Sequence, residues 1–259
     1  MSSTSRPVSP SASSPVPRRG RVRPWLALRG LLSQIRDSED TEAGARFVYA
    51  LQGQSSERVF QRFRADPDGA RILAEGQSIR ETLMDRERLR GLPQGSLGQV
   101  YAAFMDEEEI SLEGLAAATA GPAREVFGVM DAERQLVHDR ITDTHDLWHV
   151  ATGYSRDMVG EFALLAFGYE QLGTPAYRLS LAAIRPLCAI QAPGAVALID
   201  DARRRGRESR WLPVQDWEGL LAVPLDEARE RLGLGSTPAY TRYFRVGRRL
   251  QPEGASAAA

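Results

Sequence analysis

Between residues 141 and 173 the chain reads ITDTHDLWHVATGYSRDMVGEFALLAFGYEQLG, and the fold turns on how that stretch is parsed. Thr142 or Asp143 can cap a helix that Gly153 stops, and Ser155 can cap a second helix that Gly173 and Pro175 end. A loop this short makes the two helices antiparallel neighbours. On the first helix His145 and His149 stand one turn apart on one face, a spacing that suits two imidazoles on one metal ion. Asp146 points about 100° away around the axis, either to the same ion or to a ligand that it orients. Glu161 falls about two turns into the second helix, where it can face the histidines across the pair. Its apolar surroundings, Val159, Phe162, Leu165 and Phe167, give it reason to find a partner, because burying it alone is costly. Gly160 beside it would allow close helix approach. The alternative is a pair of hydrogen-bonded core histidines, with Asp146 and Glu161 paired to arginines. His138, seven residues before His145, is read as solvated surface or as a residue at the mouth of the site.

Outward from this pair the pattern stays helical. Trp25, Leu28, Leu31, Leu32 and Ile35 recur at helical spacing, as a core-facing helix or one lying on a membrane surface. Asp40-Thr41 opens a helix through Ala50, and Glu57–Arg64 and Asp68–Glu75 read as short helices, the latter ended by Gly76. Leu92 to Gly98 reads as a turn into a helix around Tyr101, Phe104 and Met105. Alternating strand patterns and internal repeats are missing. The expectation is a mainly α, single-domain helix bundle over 23–240, with the metal site between two adjacent antiparallel helices. A Ser/Pro/Arg-rich disordered tail (1–22) precedes it, and a C-terminal tail (241–259) follows.

Composition narrows the chemistry. Of 259 residues, 33 are basic and 34 acidic, for a net charge of -1, which argues against general nucleic-acid binding. All the basic residues are arginine, so Schiff-base and P-loop lysine chemistry are excluded. Cys188 is the lone cysteine, which excludes an intrachain disulfide framework and thiolate-rich metal sites and suits a reducing compartment. The only histidines are His138, His145 and His149, so imidazole chemistry has one possible location. No run of about 18 apolar residues suggests a membrane-spanning helix. The acid-free opening before Asp37 reads as a disordered tail or an organellar transit peptide, and residues 1–24 lack the apolar region of a secretory signal.

His145-Asp146-Leu147-Trp148-His149, followed by Glu161 in Gly160-Glu161-Phe162-Ala163, resembles the zinc-ligand signature of the ubiquinone (coenzyme Q) biosynthesis protein 4 family. Leu92-Pro93-Gln94-Gly95-Ser96-Leu97-Gly98-Gln99-Val100-Tyr101, Trp217-Glu218-Gly219-Leu220-Leu221 and Pro224 to Arg229 are similar to further segments of that family, and the likeness spans roughly 23–235. The resemblance implies His145, Asp146, His149 and Glu161 as metal ligands. It implies action at C1 of a polyprenylated hydroxybenzoate, where the carboxylate is removed and, in the oxidative version, replaced by hydroxyl. Asp146 would serve the chemistry, and Arg140 would supply a cation for the substrate carboxylate; Thr142 stands where the family often has a second arginine. Zinc is redox-inert, whereas two histidines and a carboxylate also suit iron, so either metal fits.

A polyprenyl tail would need an apolar slot, for which Phe162, Leu165, Phe167, Leu172 and the segment Leu179 to Ile190 are candidates for either slot or core. Arg203, Arg204, Arg205 and Arg207 form a basic cluster for anionic headgroups or a solvated helix end. The resemblance further implies a homodimer, other ubiquinone biosynthesis proteins as partners, and a peripheral place on a membrane surface. That surface is the cytoplasmic side of a bacterial inner membrane or, alternatively, the matrix side of the mitochondrial inner membrane. Two other classes are weighed: a non-catalytic lipid-binding scaffold organising those enzymes, and a His-Asp phosphohydrolase, whose additional histidine and aspartate are not apparent.

Overall fold

The structure, a computed structural model, describes residues 22–36, 40–246 and 249–254. Residues 1–21 of the expected N-terminal tail, the side chains of Leu31 and Ile35, and the last five residues of the C-terminal tail lie outside the described residues. The helices run α1 (Pro24–Arg36), α2 (Thr41–Leu51), α3 (Ser55–Ala65), α4 (Pro67–Glu75), α5 (Arg80–Met84), α6 (Arg86–Arg90) and α7 (Leu97–Glu107). They continue as α8 (Leu112–Phe127), α9 (Ala132–Asp143), α10 (His145–Thr152), α11 (Met158–Leu172), α12 (Pro175–Gln191) and α13 (Ala195–Glu208). After a single 3-10 turn at Leu212–Val214 come α14 (Trp217–Leu220) and α15 (Leu225–Leu232). The fold is mainly α, as the periodicity predicts, and no described helix is long and apolar enough to cross a membrane.

The main core gathers around α11, whose apolar positions bury Val159, Ala163, Leu164, Ala166 and Phe167. Helix α13 packs along it, and Gly206 makes the approach possible: a Cβ there would stand 2.7 Å from the Phe167 carbonyl oxygen. Tyr101 of α7, Leu147 of α10 and Trp217 of α14 are fully buried in the same core. Helices α1, α2 and α8 form a second layer, with Phe47 and Ala50 in a smaller cluster.

Two local expectations are corrected. Thr142 and Asp143 do not cap the histidine helix; they end α9, and the chain breaks at Thr144, whose Oγ1 donates back to the Arg140 carbonyl at 2.8 Å. Asp143 is fully buried and ion-paired with Arg80 at 2.9 Å, so it is not free to cap. Nor does Ser155 cap the next helix. Asp157 does, accepting from the Val159 and Gly160 amides, and Glu161 therefore sits in the first turn of α11 rather than the second.

Residues after 240 also depart from the expected tail. Strands β1 (Tyr243–Val246) and β2 (Arg249–Pro252) pair antiparallel, with Tyr243 opposite Pro252 and Val246 opposite Arg249. Only Tyr243 and Leu250 are buried, so the strands carry no apolar alternation to read. Those two side chains join the main core, and the strands are held further by two hydrogen bonds: the Tyr243 amide donates to Asp157 at 2.9 Å and the Leu250 amide to Gln191 at 2.8 Å.

Candidate metal centre

His149, 1 % exposed, donates from Nδ1 to the Tyr154 carbonyl at 2.9 Å. A carbonyl only accepts, so Nδ1 carries the proton and Nε2 is left with its lone pair. That Nε2 is buried and makes no hydrogen bond, and it faces Glu161 Oε1 at 3.6 Å. Burial, with the neighbouring His145 adding to it, lowers His149 to about 3, so the ring is neutral at physiological pH. His145, on the preceding turn, donates from Nδ1 to Asp146 Oδ1 at 3.2 Å, and the two imidazole rings lie 5.0 Å apart between centroids. Burial works to lower His145, but the Asp146 hydrogen bond and charge, joined by the Glu161 charge, leave it raised. Asp146 is 5 % exposed; burial would raise it, and the two histidines hold it below the ordinary carboxylate range.

One ligand atom each from His145, Asp146 and His149 lie within 4.8 Å of one another. Glu161 stands outside that trio but points at it through His149. Its enclosed position pushes its carboxyl up to about 7, against the pull of His145 and Arg156. A neutral imidazole aimed at a carboxylate whose other charged neighbour is Arg156 at 3.8 Å, with a second imidazole one turn away, matches the kind of donor set that suits a divalent cation. The orphaned Nε2 is the observation that fits such an ion, since a buried ring nitrogen without a partner costs free energy. Phe104 stacks on His149 at 6.0 Å and covers the ring on one side.

Arg140 is not at this cluster's disposal. It is 2 % exposed, and its guanidinium is bound to both oxygens of Glu218 at 3.0 Å and to the carbonyls of Pro213 and Gln215. Thr142 donates to the His138 carbonyl. His138 is half-buried rather than a solvated surface residue: its ring packs between Tyr49 at 5.2 Å and Phe127 at 5.6 Å, burial lowers its pKa, and it lines the same cavity as His145, in keeping with a place at the mouth of the site.

His138, His145, Asp146 and Glu161 share the wall of one cavity of about 2360 Å³, well beyond the roughly 300–1,000 Å³ usual for a small-molecule site. Of the slot candidates, Phe162, Leu165, Leu172, Ile184 and Leu187 line it, whereas Phe167, Leu181 and Cys188 are core. Leu179 and Ile190 are exposed.

Residues 23–238 match the family described as coenzyme Q (ubiquinone) biosynthesis protein Coq4. The chain belongs to that family. A ubiquinone biosynthesis protein coq4 of Pyrenophora tritici-repentis, named as mitochondrial, is 31% identical over 200 residues, which are 74% of this chain and 61% of that protein. The corresponding mitochondrial protein of Phaeosphaeria nodorum is 29% identical over 82% of this chain and 68% of its own length. Against the first of these the chain spans about three fifths of the relative's length. A crystal structure of a Nostoc punctiforme protein described as a ubiquinone biosynthesis protein shares the fold, with a TM-score of 0.62 at 24% identity, over 83% of this chain and 98% of that one.

Within this Coq4-family chain, sequence reading missed two contributors to the site. The Tyr154 carbonyl orients His149, and a backbone acceptor has no residue-type signal. Arg156 lies 3.8 Å from Glu161 and lines the cavity, yet arginine is so frequent here that its position five residues before Glu161 carries no signal. The basic cluster resolves into pairs: Arg203 and Arg207 with Glu170, and Arg204 with Asp201 and Glu208. Arg205 is buried, donating to the carbonyls of Leu234 and Thr152.

Proposed function

We propose that this chain holds one divalent cation, zinc or iron, with His145, His149 and Glu161, and acts at C1 of a polyprenylated hydroxybenzoate in ubiquinone synthesis. The observation that carries the reading is the His149 Nε2 lone pair, fixed by the Tyr154 carbonyl and left without a hydrogen bond beside the Glu161 carboxylate. A bound cation would supply Lewis-acid polarisation of a substrate carboxylate or phenolate oxygen. The chain's own groups supply the rest. Asp146 holds the His145 ring in register through Nδ1 and so presents the opposite nitrogen. Phe104, stacked on His149, excludes water from that side of the ring. Phe162, Leu165 and Ile184 offer apolar wall for a prenyl tail leading away from the cluster. Loss of carbon dioxide leaves the bonding electron pair at C1, which takes up a proton in simple decarboxylation. Replacement by hydroxyl is instead a two-electron oxidation with dioxygen as the acceptor: the acid, water and dioxygen give the phenol, carbon dioxide and hydrogen peroxide.

Metal content and turnover of a prenylated hydroxybenzoate, measured on the wild type and on His149→Ala, Glu161→Ala and Asp146→Asn, test the reading. His149→Ala and Glu161→Ala lose the metal and turnover together, with helical circular dichroism retained. Asp146→Asn binds metal about 10–100-fold more weakly. Full turnover by metal-free Glu161→Ala protein would exclude the reading. The closeness of the Asp146 carboxylate favours a second one, because with Asp146 as a fourth ligand the protein fills a tetrahedral shell. The cation then pins α10 to α11, and the chain is a lipid-binding scaffold for the other ubiquinone biosynthesis enzymes at a membrane surface. Bound metal and bound lipid without turnover are its signature.

A further inference from the structure

An anionic head placed beside the His145–His149–Glu161 cluster needs a cation, and among the described residues Arg156 stands there with two loose ion-pair neighbours and no hydrogen bond formed to either. Arg156 sits in the loop between α10 and α11 and lines the cavity together with His145, Asp146 and Glu161. Its guanidinium approaches two carboxylates, Glu161 at 3.8 Å from Nε and Glu108 at 3.7 Å from Nη1, and makes a hydrogen bond to neither. Both separations exceed the 2.7–3.2 Å of a formed bond. The other arginines close to the histidine helix are differently placed: Arg140 grips Glu218, and Arg205 and Arg229 cap backbone carbonyls.

The loop that carries Arg156 is held rather than loose. Tyr240 accepts from the Ser155 amide at 2.9 Å and donates to Asp157 at 2.8 Å, one residue on each side of Arg156. Gly153 turns the chain in the left-handed region at φ +80, and a Cβ there would collide with Thr237. The backbone under Arg156 is thus fixed at both ends, which preorganises a long side chain toward the cavity.

Resting on the reading under Proposed function, the geometry points to Arg156 as the residue that binds the carboxylate of the substrate head, the role the sequence suggested for Arg140. An arginine fork and a carboxylate make paired, charge-assisted hydrogen bonds, which fix orientation as well as affinity.

Calorimetric titration of the full zinc-loaded chain with two probes tests this: geranyl-hydroxybenzoate, and the geranylphenol that lacks only the carboxylate. The wild type is expected to prefer the acid by about 10- to 100-fold, the range of a hydrogen bond between charged groups. Arg156→Gln should lose that preference while its affinity for the phenol and its zinc content stay unchanged. Arg156→Lys should recover part of it, as a point charge without the fork. An Arg156→Gln protein that discriminates as well as the wild type overturns the assignment and leaves the cation site untouched. A wild type that binds acid and phenol equally also overturns it. A wild type that binds neither probe removes the proposed substrate class and the clamp together.

Discussion

Gly160 is where one hydrogen atom in place of a methyl group decides the geometry of the site. A Cβ on it would meet the Ser155 carbonyl, the Tyr240 hydroxyl and the Asp157 carboxylate, so the close approach is to the loop and the C-terminal segment, not to α10. Gly160→Ala should destabilise the protein by about 1–3 kcal/mol through overpacking, read from the urea midpoint. It should also displace Glu161, the next residue. The neighbouring candidate ligands were legible because they are rare: three histidines in 259 residues, two of them one helical turn apart, stand out from composition alone. The half-buried Glu161 on an otherwise apolar helix was readable for the same reason, since such a residue needs a partner. Of the two readings of His138, solvated surface fails because its partners, Tyr49 and Phe127, come from α2 and α8, which no local spacing places beside α9. Arg140 was misassigned on similar grounds, its acceptor Glu218 lying 78 residues ahead.

Helix α11 begins on a polar knot around Asp157, where the sequence suggested Ser155 as the cap. Asp157 wins because its carboxylate is 3 % exposed and accepts at once from Val159, Gly160 and Tyr243 amides and from the Tyr240 hydroxyl. Ser155 donates no cap; its amide is bound by Tyr240 and its hydroxyl lies 3.2 Å from the same oxygen. Asp157→Ala removes the cap and leaves the three buried amides of Val159, Gly160 and Tyr243 without their acceptor, at a cost of about 2–4 kcal/mol. Tyr240→Phe should cost about 1.5–3 kcal/mol, since it removes a hydrogen bond to the Asp157 carboxylate together with the acceptor of the Ser155 amide. Amide hydrogen exchange at Val159 and Gly160 distinguishes the two: fast in Asp157→Ala, modestly raised in Tyr240→Phe. Helices such as α2, α4 and α7 were readable from caps and stops carried in the segment itself, Asp40, Asp66 with Gly76, and Ser96. The start of α11 depends on Tyr240, more than 80 residues on, and local chemistry could not choose it.

Across the whole molecule arginines do what lysine cannot, and they tie the chain's late segments to the shoulder that carries the histidines. Arg229 donates to the carbonyls of Val150 and Ala151, and Arg205 to that of Thr152, so α15 and α13 satisfy the last carbonyls of α10. Arg140, at the end of α9, reaches the opposite way to Glu218 on α14. This last pair makes stability depend on pH with a definite sign. Burial would raise the Glu218 carboxyl, but the hydrogen bonds and charge of Arg140 outweigh it and hold it below the ordinary carboxylate value. The folded state therefore gives up the proton more readily than the unfolded chain, and stability rises with pH where the unfolded chain holds more protons. The contribution is complete above the unfolded value, about 4.3 for a glutamate, and is lost as pH falls through the lower folded value. Urea midpoints measured from pH 7 down to pH 3 should thus show Glu218→Gln less stable than the wild type near neutrality, with the gap narrowing as acid protonates Glu218 and weakens the Arg140 pair in the wild type as well. A gap that stays constant over that range would mean that Glu218 carries no linked proton and that Arg140 is held by the Pro213 and Gln215 carbonyls alone.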